Sequence, residues 1–203
     1  MVFGQAERIL ARRSCLWQNE VMTKKTYAVI TAIGTDRIGI VDELSGIITD
    51  AGANIEESKM ALLGGDFAAM MLVSLDAKVY EALGAACART ETRLALKIGI
   101  KPTDASSALL RGRPYSLEAV SLDGQGIVHA VSSVLRKFDI NIEELETRTE
   151  GAPLTGAPLF RLKASVLIGP EISIAALRHS FEELHAAQDL DIVLSPILPA
   201  NRD

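Results

Sequence analysis

The feature that most constrains this chain is an internal duplication. Residues 32 to 57 lie over residues 119 to 144 at a constant spacing of 87, so that Asp36 falls on Asp123, and ten of the 26 paired positions are identical. Average composition would give roughly one or two. The identities include Gly39/Gly126, Ile40/Ile127, Val41/Val128, Ser45/Ser132 and the run Asn54-Ile55-Glu56-Glu57 against Asn141-Ile142-Glu143-Glu144. Several other pairs, Ile33/Val120, Leu44/Val131 and Ile47/Val134 among them, keep apolar character. A core asks only for apolar volume of the right size. Retained polar residues and glycines therefore point to a fixed local conformation or to a ligand.

A chain of 203 residues divided by this spacing gives two small domains. The expected boundaries are an extension over 1–24, a first domain over 25–102, a linker over 103–112 and a second domain over 113–198. In the first copy, Thr26 to Gly34 alternates as a strand. Ile40, Leu44, Ile47, Ile48 and Ala51 then recur at helical spacing, with Gly52 as a C-terminal stop. Asn54 to Leu63 and Phe67 to Leu75 read as a hairpin around Gly64-Gly65. Val79, Ala82, Leu83, Ala86 and Cys87 form a second amphipathic stripe, and Leu94 to Ile100 alternates again.

The order is βαββαβ, an α+β unit in which two helices cover one face of a four-stranded antiparallel sheet, the ferredoxin-like arrangement. The second copy repeats it with strands at 114–121, 140–149, 159–168 and 190–197 and helices at 126–138 and 172–187. Aligning Phe67 to Val73 with Phe160 to Val166 requires six further residues in the second hairpin, around Gly151 to Pro158. Their prolines and glycines predict a projecting loop, either a tolerated insertion or a partner contact.

Composition narrows function mainly by exclusion. The net charge is −5, and both repeats are acidic. Aromatic residues make up only 4% of the chain, so neither an electrostatic nor a stacking surface for nucleic acid is indicated. No apolar run reaches the roughly 20 residues of a membrane span. The two cysteines, Cys15 and Cys87, give no disulfide framework and fit a reducing cytoplasm. Residues 1–24 carry Arg8, Arg12 and Arg13 without the apolar stretch of a signal peptide, and are either extra sequence before Met22 or an arm.

The segment between the first strand and helix of each copy is the candidate site. Backbone N–H groups at a helix N-terminus favour a carboxylate, and glycine permits close approach. Asp36 and Asn54 supply oxygens for an ammonium group, so a small zwitterion suits both ends; Asp123, Gly126 and Asn141 are the equivalents. The competing reading makes the aspartates helix caps and the asparagines turn residues. Gly34 and Gly39 lack the Lys-Ser/Thr of a phosphate loop, since Ile40-Val41 follows. His129, His179 and His185 complete no metal-ligand pattern, and no cofactor is indicated. Glu56-Glu57 and Glu143-Glu144 should face opposite sides of their strands and so cannot act as paired acid and base. Glu143, Glu144, Glu146 and Glu150 read as a solvated acidic edge. Nothing assembles a catalyst, and a non-enzymatic role is expected.

The run Ala32-Ile33-Gly34-Thr35-Asp36-Arg37-Ile38-Gly39-Ile40-Val41, followed by Asn54-Ile55 and by Phe67 to Val73, resembles the ACT domain, a sensor module of amino-acid metabolism. Two such domains filling residues 25–198 resemble the glycine cleavage system transcriptional repressor family. That resemblance implies ligand contacts at Asp36, Arg37, Ile38, Gly39, Asn54 and Ile55, and at Asp123, Gln125, Gly126, Asn141 and Ile142. It implies a small amino acid, glycine foremost, as ligand, and a DNA-bound activator of glycine cleavage genes as protein partner. Side-by-side or helix-mediated pairing, including a homodimer, is also implied. A free-standing regulatory subunit of an amino-acid enzyme is the alternative. Gly124-Gln125 in place of Arg37-Ile38, and Ser121-Leu122 in place of Gly34-Thr35, argue that the two copies do not bind alike.

Overall fold

The computed structural model describes residues 25–104, 112–122, 124–152 and 155–198. The 1–24 extension with Cys15, the linker residues 105–111, Asp123, Pro153 and Leu154 lie outside the described residues. The chain falls into two compact units, divided between residues 106 and 107.

In the first unit the order is β1 (Lys25–Thr35), α1 (Ile40–Asp50), β2 (Asn54–Leu63), β3 (Asp66–Asp76), α2 (Tyr80–Leu94) and β4 (Lys97–Thr103). The sheet runs β2-β3-β1-β4, with every neighbour antiparallel. Alternation along β1 buries Ala28, Ile30 and Ala32, which share one core with Ile40, Leu44 and Ile48 of α1 and Leu83 and Cys87 of α2. Both helices therefore cover the same sheet face. α1 stops where Gly52 takes a φ of 75° and the N–H of Ala53 returns to the Ile48 carbonyl at 3.0 Å. The β2–β3 hairpin is closed by Gly64 and Gly65 at φ 62° and 94°, the two positive values of a tight two-residue turn.

The second unit repeats the pattern with β5 (Arg113–Leu122), α3 (Ile127–Lys137), β6 (Ile142–Gly151), β7 (Pro158–Ile168), α4 (Ile174–Gln188) and β8 (Asp191–Pro196). Its sheet runs β6-β7-β5-β8 around a separate core of Leu117, Ala119, Val131, Leu135, Leu162, Val166, Leu177 and Phe181. The protein is thus α+β, two ferredoxin-like units in tandem. The extra residues of the second hairpin do not all project. Gly151 pairs with Pro158, which lengthens the ladder, and Ala152 N–H donates to the Ala157 carbonyl at 2.8 Å.

One local feature departs from simple alternation. Ile55 pairs with Val73 and Glu57 with Leu72, so Glu56 is bulged out of the ladder, and the same shift recurs between Ile142 and Glu144. The expectation that consecutive glutamates face opposite sides fails at this position, because a bulge inserts an unpaired residue.

Candidate functional site

β1 ends at Thr35, and the next backbone N–H, that of Asp36, donates to the Gly65 carbonyl at 3.1 Å, anchoring the loop to the β2–β3 hairpin. Gly39 then turns the chain into α1 at φ 96° and accepts the first helical hydrogen bond from Glu43 N–H at 3.0 Å. The added Cβ of any other residue would meet nothing within 4 Å, so backbone conformation and not crowding demands glycine here. Among the described residues no side chain caps α1. The helix-cap reading of Asp36 is therefore set aside, and Ile40, Val41 and Asp42 of the first turn of α1, where intrahelical partners for N–H groups are lacking, line an open cleft.

That cleft, of about 260 Å³, is lined by Asp36, Arg37, Gly39, Ile40, Val41, Asp42, Met60, Leu62 and Phe67. It joins a polar rim to an apolar wall. Met60 and Leu62 pair with Ala69 and Phe67 in the β2–β3 register, which turns them toward the helix side of the sheet. Arg37 lies 3.6 Å from Glu43, whose other oxygen is taken by Arg93 of α2. Ile38 is fully exposed, at 103% of its reference area.

Asn54 sits elsewhere. It pairs with Ser74, which pairs with Tyr27 near the start of β1, whereas Asp36 follows the end of β1. Nine strand steps at about 3.4 Å place them on the order of 30 Å apart. Within one unit they do not converge on a single ligand. The Asn54 amide instead donates to Glu56 Oε1 at 3.4 Å, joined by the Ser74 hydroxyl at 2.5 Å and Lys25 Nζ at 3.5 Å. The Ser74 hydrogen bond, then that from Asn54, holds the Glu56 carboxyl below its ordinary pKa, with partial desolvation opposing and Lys25 assisting. Ile55 packs against the first core and Ile142 against the second, away from either loop.

In the second unit Gly126 repeats the turn at φ 86°, and its carbonyl accepts from Ala130 N–H at 2.9 Å, with no side-chain cap among the described residues. Gly124 and Gln125 are exposed beside it, and Asp123 is outside the described residues. The apolar wall is reduced: Thr147 and Thr149 hold the register positions of Met60 and Leu62, while Phe160 holds that of Phe67. Asn141 is exposed just before β6.

The wall residues Met60, Leu62 and Phe67 were missed by reasoning from sequence. For Met60 and Leu62 the signal lies in the alternation of β2, whose phase the bulge at Glu56 shifts. Among the described residues no group of three or more His, Cys, Asp or Glu is placed to hold a metal. His179 lies 3.7 and 3.6 Å from Glu182 and Glu183 on the surface of α4, while His185 lies 3.2 Å from the Leu190 carbonyl. Cys87 is buried in the first core, and burial pushes its thiol pKa up. No described helix is long and apolar enough to cross a membrane.

The ACT domain family model matches residues 26–101. Over 181 residues the chain is 28% identical to the glycine cleavage system transcriptional repressor of Escherichia coli (strain K12), covering 85% of this chain and 93% of that one. It is also 32% identical over 74 residues to the UPF0237 protein YjhC of Lactococcus lactis, covering 36% of this chain and 85% of that protein. A crystal structure of a protein of unknown function from Galdieria sulphuraria superposes with a TM-score of 0.75 at 34% identity, covering 86% of this chain and all (100%) of that chain. The duplicated βαββαβ architecture, the family match on the first unit and these relatives agree: the chain carries an ACT domain over residues 26–101, repeats that fold in its second unit, and resembles the glycine cleavage system transcriptional repressors.

Proposed function

We propose that this chain is a non-enzymatic, cytoplasmic amino-acid sensor that regulates transcription of glycine cleavage genes by contacting a DNA-bound activator. The observation that carries the reading is the first-unit cleft, where an uncapped helix N-terminus and Asp36 stand beside an apolar wall. A carboxylate is received by the free N–H groups of α1, and an ammonium group by Asp36. Arg37, Ile38 and Gly39 frame this site. In the second unit Gln125 and Gly126 frame the equivalent one, where Thr147 and Thr149 replace Met60 and Leu62 of the wall. The resemblance to the repressor of Escherichia coli supports the transcriptional role, and the acidic charge supports action through protein and not through DNA. A ligand of this kind acts by favouring one arrangement of the protein over another, since equal affinity for both shifts nothing.

The test is a thermal-shift series of the purified chain against the standard amino acids. A ligand specific for the folded state adds about 2.7 kcal/mol at a hundred times its Kd. Glycine, or one other amino acid, should raise Tm selectively, and Asp36→Ala should remove that rise while leaving the ligand-free Tm in place. No shift at millimolar amino acid rules out the sensor reading. Capture of a transcription factor from native lysate supports the partner assignment; capture of a biosynthetic enzyme replaces it.

A further inference from the structure

The face of the first sheet turned away from the helices is unusually apolar. Three rows cross it in register: Glu57, Leu72, Val29, Lys101; then Lys59, Met70, Thr31, Gly99; then Ala61, Ala68, Ile33, Lys97. Ile33 and Met70, at its centre, are 55% and 57% exposed, and Leu63 beyond the third row is 74% exposed. The same face of the second sheet carries Glu118, Glu146, Arg148, Glu150, Arg161 and Lys163, joined by ion pairs such as Lys163–Glu118 at 3.7 Å and Arg148–Glu146 at 3.1 Å. Such a face is satisfied in water. The first is not.

We propose that this face joins two copies of the chain, stacked sheet to sheet about a two-fold axis parallel to the strands between β1 and β3. The sequence of the first row argues for a second copy over any other occupant. The row carries an acid at the β2 edge, a base at the β4 edge and apolar residues between. A rotation about that axis lays each β2 over the other copy's β4 and keeps the rows level. Glu57 of each copy then meets Lys101 of the other, twice per dimer. Size also matches: Met70 meets Thr31, and Ile33 meets Ala68.

Four strands at about 4.8 Å and three rows at about 7 Å give a footprint on the order of 400 Å² per copy. Stable interfaces cover about 800 Å² per partner, so this dimer is weak and concentration-dependent.

Sedimentation of the full-length chain from about 10 to about 500 μM should show monomer passing to dimer, as an interface of this size requires. Glu57→Lys and Lys101→Glu each place two like-charge contacts across the axis and should weaken association on the order of tenfold. Mixing the two variants should restore it. In the mixed dimer the lysine introduced at position 57 faces the glutamate introduced at position 101, and the native Lys101 of one copy still faces the native Glu57 of the other. Met70→Glu should abolish association, with circular dichroism confirming the fold. A chain that stays monomeric, a dimer indifferent to all three substitutions, or a mixture that fails to recover overturns the proposal. The first of these results would mean that residues of the same chain cover the face.

Discussion

The two units share a backbone plan and differ in much of what lines the cleft and the outer face of each sheet. Gly39 and Gly126 both sit at positive φ at the start of a helix, and Glu56 and Glu143 both occupy a bulge in the second strand. Yet Met60 and Leu62 beside the first helix become Thr147 and Thr149 beside the second. Ser74, which holds Glu56, has Leu167 in its register position, and Lys25 corresponds to Gly112. Duplication has kept what the chain needs in order to turn and has let its surfaces diverge. Identity between repeats is thus weak evidence of a ligand. Glycine and bulge residues are retained because the fold requires them, and specificity is to be sought where the copies disagree.

The strongest way to break the comparison is to unfold one half. Leu44 is fully buried between α1 and the sheet, and none of the residues in its core belongs to the second unit. Leu44→Ala should cost about 2–5 kcal/mol through lost burial and a residual cavity. Hydrogen exchange should then rise through 25–103 while 113–196 keeps its protection. Loss of protection in both units together would show that the two cores unfold as one.

A smaller and more symmetrical effect is expected at the two glycines. Gly39→Ala and Gly126→Ala each force an L-residue into the left-handed region, at about 1–2 kcal/mol. Neither added Cβ meets an atom within 4 Å, so the costs should be equal to within experimental error in chemical denaturation. A markedly larger cost at Gly39 would mean that its loop carries strain that the second copy lacks. The comparison would then sharpen into one of backbones as well as surfaces.

The secondary structure was legible because its signals are local. Alternation in β1, the i, i+4, i+8 stripe of Ile40, Leu44 and Ile48, and the Gly64-Gly65 turn each follow from a few adjacent residues. The candidate site was half legible. The loop from Asp36 to Gly39 announces itself by glycine and by the helix that follows. Its apolar wall does not, because Met60 and Leu62 reach it through strand pairing and through a phase shift at Glu56 that no periodicity reveals. The same limit explains the grouping of Asn54 with Asp36. They are 18 residues apart in the chain. Only the antiparallel course of β1 and β3 shows that the sheet separates them.

The smallest predicted effect concerns Glu56, the residue where the two copies share a conformation and differ in its partners. Its carboxyl is held below its ordinary pKa, first by the Ser74 hydroxyl and then by Asn54. A group whose folded pKa is depressed contributes stability above its unfolded value and loses that contribution as pH falls through the folded one. The window therefore opens at the ordinary glutamate range and extends to more acid pH. Ser74→Ala removes the largest cause, so Glu56 should titrate closer to its ordinary value and the acid side of the Tm–pH curve should flatten slightly within that window. Because Glu56 faces solvent and the Lys25 pair is exposed, the change in stability at neutral pH should be small. Carboxyl-detected NMR titration of the wild-type chain and of Ser74→Ala reads it directly. An unmoved midpoint would mean that Ser74 does not hold the carboxylate in solution, and the contrast with Leu167 in the second unit would then be one of packing alone.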